Sequence, residues 1–384
     1  SGRVHGVFYD SREGRDHVYY LRSLDGGESW ENLERLSSDA MGGEHPAVAV
    51  EGDRVYVTWH DDLGEGIDIQ PRVLVRRSDD GGGSWSEETV LASPPVGAAH
   101  SSVAATGEAT VHVVWGDSRI GNAEIYLRSS RDSGESWSDE QRVSDEPYES
   151  WVPTVEAEGE LVLVGWTDYR DANEEEYLRR SEDGGRTFQP ALRMTDDPHD
   201  SWAPSMAIQG DVVHFFWFDR RDAGVTDSDA EALIDEVMLF LGLTPEAAPP
   251  RDPAHYYLHD FLARVGGKLE EVSAAVPAFE AGGGDMARLD ELLEAFYLAM
   301  QRWERGWEIY ARRSEDRGQT FGPDQRMTVA EGSSMRPSVA VHGDEVHVAW
   351  FDGRHDGDLE IYHRRSLDRG QRWEEETRLT ESAG

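Results

Sequence analysis

Six copies of one eight-residue motif run through this chain and limit what it can fold into. They read SLDGGESW (Ser23 to Trp30), SDDGGGSW (Ser78 to Trp85), SRDSGESW (Ser130 to Trp137), SEDGGRTF (Ser181 to Phe188), SEDRGQTF (Ser314 to Phe321) and SLDRGQRW (Ser366 to Trp373). The shared pattern is S-x-D-x-G-x-S/T-W/F, broken once, at Arg372. The aspartates stand at 25, 80, 132, 183, 316 and 368, so the steps are 55, 52, 51, 133 and 52. A period of about 50 residues is the signature of a propeller, solenoid or array. The long step is one ordinary repeat plus an insertion of roughly 80 residues.

Each repeat carries four short apolar segments. In the sixth they are PSVAV (337–341), VHVAWFD (346–352), EIYHRRS (360–366) and WEEETRLT (373–380). Alternation of apolar and polar residues, rich in Val, Trp and Tyr, predicts strands. Gly343-Asp344 forms the first turn and the Asp motif the third. Four strands per unit, repeated radially, predict an all-β fold: a six-bladed propeller of four-stranded antiparallel blades. The motif reads as a fold staple. Asp accepts backbone N–H groups of its own turn, Gly supplies positive φ, and the aromatic ring tucks into the blade.

On these motifs the chain resembles the sialidase-like Asp-box (BNR-repeat) propellers, over about 300 of its 384 residues. The opening SGRVHGVFYD matches GDEVHVAWFD of the sixth repeat, so the first blade starts at its second strand. The resemblance implies an arginine cluster for a carboxylate, a tyrosine nucleophile assisted by Glu, and an Asp acid. Within VFYDSREGRDHVYYLRSLDGGESW the acid would be Asp16 or Glu13, with Arg12 and Arg336 as arginines. No nucleophilic tyrosine stands out; Tyr148 and Tyr169 lie on the appropriate face.

The boundaries expected are 1–224 for blades one to five (first part), 225–305 for a helical insertion, and 306–384 for the rest of blade five and blade six. In the insertion the period changes from 2 to 3.6. One helix is expected over 227–241, and a second after Asp252-Pro253, ending at Gly266-Gly267. A third, from Asp285, carries Leu289, Leu292, Leu293, Phe296, Met300 and Trp303 on one face.

The formal charge of −40 argues against nucleic acid and anionic membranes as partners. No cysteine is present, which excludes disulfides and thiolate chemistry. Lys268 is the only lysine. The resemblance implies export, to an extracellular or periplasmic location.

The loops joining second to third strands should share the top face with the blade-to-blade loops. Five of them carry D-x-R: Asp10/Arg12, Asp117/Arg119, Asp168/Arg170, Asp219/Arg221 and Asp352/Arg354. Each Asp is expected either to pair with a neighbouring blade's Arg or to leave Arg119, Arg170, Arg221 and Arg354 facing substrate. Ahead of the innermost strands stand Glu44-His45-Pro46, His100-Ser101, Trp151, Trp202 and Met335-Arg336-Pro337. His45, His100, Trp151, Trp202 and Arg336 are read as one variable position ringing a pocket, with aromatic faces for C–H surfaces and charges for hydroxyls.

Two functions follow: a propeller that recognises a glycan at its top face, either with hydrolysis of a glycosidic bond as an exo-glycosidase or by binding alone, or a non-catalytic protein-interaction module using 225–305 as a docking surface. Metal signals are weak. His255 and His259 lie four apart without an H-E-x-x-H pattern, and DGRHDGDLE (352–360) is only loosely spaced as a calcium loop. No resident cofactor is expected.

Overall fold

The computed structural model describes residues 2–38, 42–63, 70–92, 97–107, 109–145, 147–171, 173–246, 257–329, 332–355 and 358–381. Each repeat forms one antiparallel sheet, and strand order within each follows the sequence. Sheet I has three strands, beginning Val4–Asp10 and His17–Ser23. Sheets II to VI have four each. Their innermost strands are Glu44–Glu51, Ala98–Thr106, Ser150–Glu158, Ser201–Gln209 and Ser334–His342. The outermost strand is shorter than its sequence suggests: in sheet VI only Thr377–Arg378 pairs, because the aromatic that opens the segment is spent on packing.

The second strands pack on both faces, and those of sheets IV and V are buried along their whole length. Trp59, Trp115, Trp166, Trp217 and Trp350 at equivalent positions are at most 1% exposed. The apolar clusters lie between consecutive sheets, joining I to II, II to III, III to IV, IV to V and V to VI. The motif aromatics fill these seams. Trp85 meets Tyr20 of sheet I edge-on at 4.8 Å, and Trp373 meets Phe216 of sheet V at 5.9 Å.

The motif is hydrogen-bonded as its residues dictate. In the second copy the Ser78 hydroxyl donates to Asp80 (2.7 Å) and accepts from the Gly82 amide (2.8 Å), while Ser84 donates to Asp80 through its amide (2.8 Å) and hydroxyl (2.7 Å). Arg372 supplies only its backbone amide to Asp368 (2.8 Å). An unforeseen tie joins the sheets here. Arg22, Arg77, Arg131, Arg180 and Arg313 each donate to a motif carbonyl of the following sheet, at 2.7–2.9 Å.

The insertion folds between the second and third strands of sheet V as α1 (Asp227–Phe240), α2 (Tyr257–Ala281) and α3 (Met286–Arg305). Thr226 caps α1 through a reciprocal pair with Asp229, and Asp285 caps α3. The expected end of the second helix at Gly266-Gly267 is corrected: α2 continues to Ala281, through Pro277. Val265, Val272 and the partly buried Leu269 and Val276 pack against the other helices, and that burial outweighs about 1 kcal/mol per glycine. No described helix is long and apolar enough to cross a membrane.

Candidate functional site

The innermost strands of sheets II to VI all break register at their first residues. Each break is a bulge, and one residue of it takes positive φ: His45 (48°), His100 (53°), Val152 (48°), Ala203 (51°) and Arg336 (53°). Left-handed backbone is uncommon for non-glycine residues, and for β-branched Val152 it is strained. The same turn at five equivalent places is a built feature of the frame. Two expectations are corrected. The mouth residues belong to the strands themselves. Trp151 and Trp202 align with Glu44, Ala99 and Met335, one residue before the left-handed position shared by His45, His100 and Arg336. The bulge sets two residues against one on the partner strand, which a count of loop lengths does not reveal.

Around this turn the structure gathers a group of rings. His45 stacks on His60 (5.1 Å, 11°), lies 4.9 Å from His100 and contacts Tyr9 at 5.4 Å. His100 meets Trp151 edge-on at 6.2 Å. Trp151 lies over Gly116, where a Cβ would come within 3.0 Å of its ring, and its indole N–H donates to buried Glu149 (3.2 Å). Burial, then the neighbouring His100 and His45, lowers the His60 pKa to about 3. Burial, then His45 and Arg336, lowers that of His100 to about 4. The charge of Arg336, from sheet VI, also lowers the His45 and His100 pKa values, after burial.

A second group joins sheets IV and V to the helices. Buried Tyr169 donates to buried Glu174, whose amide bonds Asp200 (3.2 Å). Burial, then the charge of Asp200, raises the Glu174 pKa. Arg220, 1% exposed, pairs with Asp200 and with Asp227 of α1 (2.6 Å). Its guanidinium lies 4.2 Å from the ring of Trp303 and 4.9 Å from that of Trp307. The Trp303 indole N–H of α3 donates to Asp227 (2.7 Å). The helical unit is therefore anchored to the top face through one enclosed cation.

The D-x-R arginines are placed differently from expectation. Each pairs with the Asp two residues before it, in its own sheet and not a neighbour's: Arg12–Asp10, Arg119–Asp117, Arg170–Asp168, Arg221–Asp219 and Arg354–Asp352. Each also lies over a third-strand tyrosine, from 4.1 Å for Arg170 on Tyr177 to 5.0 Å for Arg12 on Tyr19. The second-strand tryptophans of sheets III to VI donate to the same aspartates, at 2.9–3.4 Å. This is a clasp within each sheet, and it occupies the guanidinium groups. In sheet II, Arg72 from the third strand takes the role and pairs with Asp61.

Glu13 accepts from Tyr19 (3.0 Å) and pairs with Arg35 of the outer strand, turning away from the mouth. Asp16 is half-buried. Its carbonyl accepts from the Gly43 amide of the next sheet (2.9 Å), as Ala123, Glu174 and Trp307 do for Ser150, Ser201 and Ser334. Asp16 and Glu174 thus share one structural position. In the calcium-like stretch Asp352 is held by Arg354, and Glu360 bonds Thr380 and Arg378. Asp356, Gly357 and the Asp358 side chain lie outside the described residues, as do His255 and the His259 side chain.

One acid departs from its equivalents. Glu156, opposite Leu163, takes the register position held by Ala49, Ala104, Ala207 and Ala340 in the other four-stranded sheets. Burial alone pushes its pKa up to about 8. Aligning the repeats by register, rather than by motif, would have exposed Glu156, Glu174 and His60 as departures.

No family model and no curated protein matches the chain. Solved structures do. A protein of unknown function from Dyadobacter fermentans superposes with TM-score 0.56 at 13% identity, covering 94% of this chain and 90% of that one. The phage phi92 endosialidase gives 0.53 at 11% identity, covering 100% and 66%. The chain has a sialidase-like all-β fold. Trypanosoma rangeli sialidase, solved with 2,3-difluorosialic acid, gives TM-score 0.50 at 12% identity, and this chain spans 52% of its length. At such identities the likeness concerns the fold alone.

Proposed function

We propose that the six sheets close as the blades of one propeller and that the mouth around His45, His100, Trp151 and Arg336 binds a glycan. The observation that carries this is the left-handed turn. Five sheets present one residue each at an equivalent place, two histidines, a valine, an alanine and an arginine, while the clasps and staples around them repeat. Aromatic faces beside a cation suit a sugar with an acidic substituent. In the enzyme reading, Asp16 and buried Tyr169 with Glu174 are the carboxyl and phenol groups to mutate first. Export from the cell belongs to the same reading. The test is a glycan array with fluorogenic glycosides, comparing wild type with Trp151→Ala and Arg336→Ala. Binding that falls at least about tenfold in both variants supports the mouth as the site. Binding unchanged in both refutes it.

A second reading, a protein-docking propeller, is favoured by the outer face of the helices. Leu269, Val272, Val276, Leu293 and Tyr297 line a shallow groove there, beside half-exposed Leu298. Equal protein binding by wild type and by a variant with Tyr297 and Leu298 changed to Ser would count against that surface.

A further inference from the structure

We propose that Glu44, His45 and His60 hold a divalent transition-metal ion of the zinc class at the mouth. One donor atom from each residue lies within 4.8 Å of the others. The Nδ1 atoms of His45 and His60 are both buried and have no hydrogen-bond partner. His60 is 7% exposed, and its ring lies flat against that of His45. A buried imidazole nitrogen without a partner costs free energy, and one ion bound by both rings would remove that cost. A cation between them satisfies both, and the Glu44 carboxylate offsets part of its charge.

The donor types choose the metal. Two imidazole nitrogens and one carboxylate oxygen suit zinc and its first-row neighbours, whereas calcium and magnesium demand oxygen cages. Tetrahedral bonds of about 2.1 Å place donors roughly 3.4 Å apart, inside the 4.8 Å within which the present atoms lie. Three protein donors leave one position open, as in catalytic zinc sites. A divalent ion with one carboxylate keeps a net positive charge near Arg336, so the open position favours an anionic oxygen. His100, 4.9 Å from the His45 ring, lines the same space. Among the described residues, the repeats explain why this place offers the set. The position of His60 is filled by Gly116, Thr167, Phe218 and Phe351 in the other four-stranded sheets, and that of Glu44 by Ala99, Trp151, Trp202 and Met335.

The test is titration of the chelator-stripped chain with Zn2+ by calorimetry, and with Co2+ by visible absorption. One ion per chain and tetrahedral cobalt bands are expected. Affinity should fall about tenfold or more in His60→Gln and in Glu44→Gln, and hold in His347→Ala, which alters an outlying histidine pair. Glu44 is half-exposed, so Glu44→Gln with an unchanged melt carries the test if His60→Gln does not fold. Absence of saturable binding in the wild type overturns the proposal. Binding that Glu44→Gln leaves intact overturns it equally.

Discussion

Replacing Glu156 with Ala should stabilise the protein, and the gain should depend on pH. Four other sheets already place Ala at this register position, so the backbone accommodates it. The folded state holds the carboxyl near pKa 8, against an ordinary value of 4.5, and burial is the only cause. Below about pH 4.5 both folded and unfolded chains carry the proton, and the site costs nothing through ionisation. Between about pH 4.5 and 8 the unfolded chain releases its proton first, so wild-type stability falls through that window and then levels. At 1.36 kcal/mol per pKa unit the full shift would be worth about 5 kcal/mol. The side chain is only partly shielded from water, and a discount for screening leaves about 2 kcal/mol. Urea unfolding of wild type, Glu156→Ala and Glu156→Gln at pH 5 and pH 8.5 measures it. Both variants should gain about 2 kcal/mol on the wild type at the higher pH relative to the lower. An equal difference at the two pH values would refute the reasoning, because it would show that Glu156 ionises as it does in the unfolded chain.

Arg220→Met keeps the stem between Trp303 and Trp307 but leaves Asp200 and Asp227 without their cation. It should cost about 3–5 kcal/mol in urea denaturation, and a loss under about 1 kcal/mol would show that those carboxylates find other partners. The motif aspartates should give the protein resistance to acid. Asp25 is held to about 2 by the hydroxyls of Ser29 and Ser23, Asp132 to about 2 by Ser136, and Asp316 to about 2 by Thr320. These depressed values stabilise the fold above the ordinary carboxylate range, and the contribution is lost as pH falls through about 2. Ser29→Ala, Ser136→Ala and Thr320→Ala combined should move the acid-unfolding midpoint to higher pH. An unmoved midpoint would place acid sensitivity elsewhere.

The frame was legible because it repeats. A Ser, an Asp and a Gly at fixed spacing fix a turn by short-range bonds, and six such turns fix the strands between them. The D-x-R clasp was visible as a pattern, but its direction was not. Whether Arg354 reaches its own Asp352 or a neighbour's depends on Tyr362 beneath it, a third-strand residue outside the motif. The mouth was read in part: His45, His100 and Arg336 meet at one position, while Trp151 and Trp202 sit one residue earlier because a bulge has no signature in loop length. Glu174 and Arg220 were missed because Asp200, Asp227 and Trp303 reach them from distant parts of the chain. The run-through of α2 past Gly266-Gly267 has the same origin, since packing of Val265 and Val272 is tertiary.

The left-handed turn separates two tasks that most binding sites entangle. Its backbone belongs to the architecture, set by ladder bonds on either side and by the following proline in four of the five strands. Apart from Ala203, which packs against the cluster between sheets V and VI, its side chain belongs to none of the repeating staples, clasps or seams. A histidine, a valine, an alanine and an arginine already occupy equivalent places without altering the path of the chain. Such a mouth works like a lock with interchangeable pins. If the mouth binds as proposed, its selectivity can be rewritten one sheet at a time, with substitutions whose effects on folding should add nearly independently wherever the pins do not touch. That freedom ends at His45 and His100, where neighbouring pins are in contact and must change together.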